Sequence, residues 1–143
     1  AAKTLVLSEG RGQAGLVASE VLLHQGIATE IVTSDIAVAA DLDPTNRAAW
    51  YQRLGERDCR FTAAHVVETV DADTVVLRNV FDDRLSKREG IHLIVDWSGC
   101  RANDELIYGW DDDAPQIFSI GDCRAPRTVE VAISEASALA NRI

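Results

Sequence analysis

At 143 residues the chain is long enough for one domain with a true core. Hydrophobic residues make up 47% and charged residues 26%, a balance that excludes disorder, collagen and coiled coil. A net charge of −9 argues against nucleic acid as a partner, because that binding draws on Lys and Arg neutralising phosphates. A single nucleotide held by backbone amides stays allowed.

In chain order, the N-terminus runs straight into residues 4–8, a short apolar strand, with no signal-peptide pattern. Then comes Gly10-Arg11-Gly12-Gln13-Ala14-Gly15, followed by a helical pattern with apolar Ala14, Val17, Ala18, Val21 and Leu22 on one stripe. Gly26 suits the left-handed position that ends a helix. Residues 29–33 predict a second strand, so the opening is a βαβ unit with parallel strands and a right-handed crossover. Asp43 and Pro44 predict the N-cap and first residue of a second helix, which runs through Ala48, Trp50, Tyr51 and Leu54 to Gly55.

The middle changes character. Arg60–Thr62, residues 65–70, Thr74–Asn79 and residues 90–97 are β-type segments that predict an antiparallel meander or hairpin crossover. Residues 82–88 predict a charged, solvated hairpin tip. Residues 103–108 predict a short helix. Asp111, Asp112 and Asp113 lack the alternating spacing of a calcium loop and predict a solvated turn. Residues 116–120 predict a last strand and Gly121-Asp122 a tight junction. Thr128 predicts the cap of a closing helix with the stripe Val129, Ala132, Ile133, Ala136, Leu139, Ala140 and Ile143. No run approaches the about 18 apolar residues of a membrane span, so no membrane is expected as a partner.

Cys59, Cys100 and Cys123 are odd in number and widely spaced, which predicts reduced thiols in a cytoplasmic protein. His24, His65 and His92 lie too far apart to suggest a metal site, and none is expected. Trp50 and Trp97 are expected in the core. Trp110, beside three aspartates, is expected to meet another domain in a larger assembly.

The residues with most chemistry in them are Gly10 to Gly15. They satisfy G-x-G-x-x-G after a strand and at the opening of a helix. There Gly10 permits a tight turn, Gly12 a close backbone approach to a diphosphate, and Gly15 close packing of helix on strand. Gln13 lies in the same turn, and the helix end supplies free N–H groups and partial positive charge. Asp35, twenty residues after Gly15, is the candidate ligand for a ribose. Glu30 lies within the second strand and is expected to face solvent. Glu9, just before the first glycine, would repel a diphosphate if turned inward. A glycine turn kept for packing alone, with no ligand, is the alternative for the same residues.

The segment Gly121-Asp122-Cys123-Arg124-Ala125-Pro126-Arg127-Thr128 resembles that with which flavoproteins of two dinucleotide domains hold FAD. The variant with Cys and Ala-Pro-Arg is similar to the NADH:flavin oxidoreductases related to 2,4-dienoyl-CoA reductase, trimethylamine dehydrogenase and histamine dehydrogenase. Asp41 to Arg47 with Trp50 and Leu54, and Asp96 to Leu106, resemble other parts of the same family. The resemblance implies an α/β fold: a Rossmann-like three-layer FAD/NAD(P)-binding domain with a parallel sheet and a β-meander crossover. Residues 1–115 would be an inserted NAD(P)-binding-like domain, and 116–143 the returning strand and helix of the FAD/ADP-binding domain.

By the same resemblance Asp122 would contact the ribitol or ribose of FAD or ADP, with Gly121 letting the backbone come close. Gly99 closes the inserted domain and joins the candidate cofactor residues. A plain strand-to-turn junction is the alternative for Gly121-Asp122, and Cys123 is expected to be a structural thiol. FMN and a 4Fe-4S cluster would belong to parts of the parent enzyme that this chain lacks. The expected partners are a dinucleotide, NAD(P)H included, and the remaining domains of that enzyme. A homo-oligomer is left open, and no turnover is expected of this chain alone.

Overall fold

The structure is a computed structural model that describes residues 2–9, 12–108 and 115–143. The expectations for Gly10, Trp110 and Asp111 to Asp113 fall outside the described residues. The chain divides into two compact units, Ala1–Gly99 and Cys100–Ile143.

The first unit opens with β1 (Lys3–Ser8), α1 (Ala14–His24), β2 (Ala28–Val32), α2 (Pro44–Gly55) and β3 (Arg60–Thr62). It continues with β4 (His65–Asp71), β5 (Thr74–Asn79), β6 (Leu85–Arg88) and β7 (Ile91–Trp97). Four strands form a parallel sheet in the order β3-β2-β1-β7, and β4-β5-β6 form an antiparallel one. Side chains alternate across a strand, so the parallel sheet has two apolar faces. Val6 and Ile31 pack with Leu16, Leu23, Trp50 and Leu54 of the helices. Leu5, Val32 and Ile91 pack with Val75 and Leu77 of the antiparallel sheet. The α/β fold with a parallel sheet and a meander crossover is as expected.

Local signals placed both helices. α1 ends in a Schellman motif: the Gly26 N–H donates to the Leu23 carbonyl at 3.0 Å and the Ile27 N–H to the Leu22 carbonyl at 3.1 Å, with Gly26 at φ 75°. Asp43 caps α2, accepting from the Thr45 and Asn46 amides at 3.0 and 3.1 Å, with Pro44 next in the chain. These hydrogen bonds, those from Asn46 largest, hold its carboxyl below the ordinary value of 3.8.

Several expectations need correction. The buried face of α1 is Gly15, Leu16, Ser19 and Leu23, whereas Val17 and Val21 of the predicted stripe are exposed. Ser19 tolerates the core because its hydroxyl donates to the Gly15 carbonyl at 2.7 Å. β3 and β7 are parallel partners of β2 and β1, not members of the meander. Within the predicted hairpin tip, β6 pairs antiparallel with β5. Its Arg88 turns inward to Glu30, which is only 8% exposed and so does not face solvent. The basic side chains of β6 disguised a strand whose Arg88 is matched internally by Glu30.

The second unit holds a 3-10 turn at Glu105–Ile107, another at Gly121–Cys123, and α3 (Val129–Ala140). Residues 115–120 form no strand. A strand exists through ladder bonds to a neighbour, and an isolated extended segment has none. Thr128 stands at the N-cap of α3 but makes no side-chain cap bond, and no residue of α3 is buried. No described helix is long and apolar enough to cross a membrane.

Candidate functional site

The glycine turn lies at the carboxyl end of β1, where open parallel sheets place their ligands. Gly12 has φ 89°, a conformation that demands glycine. A Cβ on Gly15 would lie 2.7 Å from Ser8 Oγ and 3.0 Å from Ser8 Cβ, so Gly15 lets α1 approach β1. Gly12 and Gly15 keep their backbone roles.

Among the described residues of the turn, the Gly12 amide is occupied by the protein itself. The Gly12 N–H donates to Asp41 Oδ2 at 2.7 Å. This carboxylate beside the helix entrance supplies the negative charge that a helix N-terminus favours. Gln13 stands at the N-cap of α1 and its Oε1 accepts from Trp50 Nε1 at 3.2 Å. Glu9 accepts from the Ser34 amide at 2.7 Å and also from the Ser34 hydroxyl, tying the end of β1 to the residues after β2. Asp35, the candidate ribose ligand, is exposed; its amide donates to Thr33 Oγ1 at 3.2 Å and its carbonyl accepts from Ala64 N at 2.7 Å.

These residues do not fit a diphosphate. The Gly12 amide already has an anionic partner in Asp41, and Glu9, bonded to Ser34, adds a second carboxylate beside the turn. Asp41 would have to leave that amide, and like charges at short range repel strongly. Neither residue's bond was legible in sequence. Asp41 lies 29 positions from Gly12, and Ser34 lies 25 from Glu9. Glu9 was singled out for its charge; Asp41 stood out only as the start of the segment before α2 that resembles the family, with nothing to link it to Gly12.

Gly99, at φ 100°, is exposed at the end of the first unit. In the second unit Gly121 has φ 64° and is buried, and its amide donates to Glu135 Oε2 at 2.7 Å. Glu135 also pairs with Arg127 and, at 3.6 Å, with Arg124. The Gly121 amide and then Arg127 hold the Glu135 carboxyl below its ordinary value. Asp122 is exposed, and its Oδ1 accepts from the Arg127 amide at 3.3 Å. That carboxylate fits hydroxyl donors such as those of a ribose or ribitol. Cys123 donates to the Ile120 carbonyl at 2.9 Å.

No protein-family model matches this chain, and no curated protein does. Solved structures do. Histamine dehydrogenase from Rhizobium sp. 4-9 matches at 22% identity and a TM-score of 0.73, over 99% of this chain and 23% of that one. The 6-hydroxypseudooxynicotine amine oxidase from Pseudomonas geniculata N1 matches at 16% and 0.79, over 92% and 20%. A 2-naphthoyl-CoA reductase matches at 18% and 0.72, over 93% and 20%. The chain thus spans about a fifth of the length of each. At these identities the likeness is one of fold. The chain has the fold of a region present in enzymes of the NADH:flavin oxidoreductase group that the Gly121-Asp122-Cys123 segment resembles.

Proposed function

We propose that this chain serves as a nucleotide-domain scaffold within a larger flavin-dependent oxidoreductase, and that its glycine turn is closed by its own acids and holds no dinucleotide. The Gly12–Asp41 hydrogen bond carries this reading. Gly12 and Gly15 keep the backbone features of a diphosphate cradle, while Asp41 takes the Gly12 amide and Glu9 fixes the neighbouring strand end. The role left to such a domain is to present surfaces to the flavin-bearing parts of the parent enzyme. FMN and a 4Fe-4S cluster would reside in those parts.

The Gly121-Asp122 turn is the place where this chain would touch a nucleotide. Asp122 would accept hydrogen bonds from the hydroxyls of FAD or ADP, and the flavin, when bound, would supply the redox chemistry. Asp122 would position its ribose or ribitol without exchanging a proton.

Calorimetric titration of the 143-residue chain with NADH and NADPH tests the scaffold reading. No heat of binding is expected from the native sequence. Asp41→Asn, which removes the charge and weakens the bond to Gly12, is expected to move the response toward binding. Micromolar binding of NADH by the native chain, abolished by Gly12→Asp, would overturn it.

A further inference from the structure

The parallel sheet has β3 at one edge and β7 at the other, and the two edges are built differently. β3 has three residues and carries Arg60, the short, charged form with which sheets avoid further pairing. β7 has seven residues and contains neither proline nor lysine. A β-bulge where β7 passes Lys3 and Thr4 leaves His92 as the extra residue, so regular pairing runs from Leu93 to Trp97.

The ladder decides which backbone groups of that stretch are turned outward. The Trp97 carbonyl accepts from the Glu9 amide at 2.9 Å, so Trp97 bonds toward β1. In a parallel pair, residues bonded to the neighbouring strand alternate with residues bonded away from it. Leu93 and Val95 therefore also bond to β1. Ile94 and Asp96 turn their N–H and C=O groups to the open side, where no described strand lies. Side chains alternate in the same way. Val95 packs with the helix-side cluster and Ile94 with the cluster shared with the antiparallel sheet, so Leu93, Val95 and Trp97 share the helix face. Leu93 is 46% exposed there.

We propose that β7 pairs antiparallel with β7 of a second copy of this chain, across a two-fold axis at Val95. The residues of the strand select this register. An axis at Ile94 would require the bulged His92 to pair with Asp96. An axis at Asp96 would set two carboxylates directly opposite each other, which is destabilising. With the axis at Val95, Ile94 and Asp96 of one copy exchange backbone hydrogen bonds with Asp96 and Ile94 of the other. No charge then stands directly opposite a like charge. Val95 meets Val95, and the exposed Leu93 meets Trp97 of the second copy, all on the helix face. The two sheets join into one that ends in the short β3 on both sides, and the two-fold symmetry closes the contact. The pairing is independent of whether the glycine turn holds a ligand.

Sedimentation equilibrium of the 143-residue chain over a concentration series tests the pairing. A reversible shift from 15.5 kDa toward twice that mass is expected. Asp96→Pro removes an outward N–H, which an edge strand tolerates, and Leu93→Lys puts a charge on the exposed rim. Each is expected to remain monomeric throughout the series, with native far-UV circular dichroism verifying its fold. Ile133→Lys, at an exposed position of α3, is expected to dimerise as the native chain does. The register is read in a background of Cys100→Ser and Cys123→Ser. Directly opposed residues of the type at Val95 have Cα atoms about 4.5 Å apart, within reach of a disulfide. Val95→Cys is expected to cross-link on mild oxidation and Ile94→Cys to stay uncross-linked. A monomeric native chain, a dimer that survives both edge substitutions, loss of the dimer in Ile133→Lys, or cross-linking at position 94 in preference to 95 would each overturn the proposal.

Discussion

Arg88→Met is expected to be among the costly single changes in the first unit. Arg88 on β6 and Glu30 on β2 are 58 residues apart, and their side chains are 14% and 11% exposed. Their bond joins the antiparallel sheet to the parallel one. Methionine keeps most of the stem and removes the charge, which leaves Glu30 with Thr62 and the more distant Arg60. Breaking a buried pair from one side costs about 3–5 kcal/mol. Because Arg60 can move in to compensate, the lower end, about 3 kcal/mol, is expected. With a urea dependence of about 2 kcal/mol per molar, the midpoint of unfolding should fall by about 1.5 M. Arg60→Met removes a guanidinium that is 64% exposed and should cost no more than about 1 kcal/mol. The double change Glu30→Leu with Arg88→Met removes both charges and should recover most of the loss, since well-packed apolar replacements of such pairs are often neutral. Equal midpoints for Arg88→Met and Arg60→Met would refute the claim that the buried geometry makes this pair matter.

Four further outcomes follow from the same geometry. Gly15→Ala should destabilise by about 1–3 kcal/mol by chemical denaturation, because its methyl meets Ser8 Oγ at 2.7 Å and Cβ at 3.0 Å; Ser8→Ala should restore only part of it. The depressed carboxyl of Asp43 contributes stability that is complete above its ordinary value of 3.8 and lost as pH falls through the lower folded value. Native chain and Asp43→Asn should therefore differ in melting temperature at pH 6 and converge in strong acid. Burial pushes the Cys59 thiol up to about 11, so iodoacetamide at pH 8 should label the exposed Cys100 and Cys123 well before Cys59, as read by peptide mass spectrometry. Ser86 Oγ is buried with no hydrogen-bond partner among the described residues, so Ser86→Ala should be neutral or stabilising in a thermal melt.

The glycine turn illustrates why a motif and its occupancy are separate matters. The spacing of Gly10, Gly12 and Gly15 encodes a backbone path, and the structure keeps the consequences at Gly12 and Gly15. Whether the amides at that turn face a ligand is decided by side chains elsewhere in the chain. Asp41 belongs to the loop before α2 and reaches Gly12 only once α1 and α2 are packed on the sheet. The same holds for the pair Glu9 and Ser34. At Gly121 the amide also donates to a residue far along the chain, Glu135 of α3, while the exposed Asp122 carboxylate is what that turn offers a ligand.

Features closed within a few residues were legible in the sequence. The Asp43 cap, the Gly26 helix end, the extent of α2 and the opening βαβ unit all depend on hydrogen bonds or periodicities that span one turn or one strand. What only the tertiary structure decided depends on partners far along the chain. It turned α1 so that Ser19 rather than Val17 faces the core, moved β3 and β7 into the parallel sheet, and made a strand of Leu85–Arg88. It also drew Glu30 inward against Arg88. A strand has no intrinsic partner and a charge no intrinsic burial, because both are fixed by what lies opposite after the layers close.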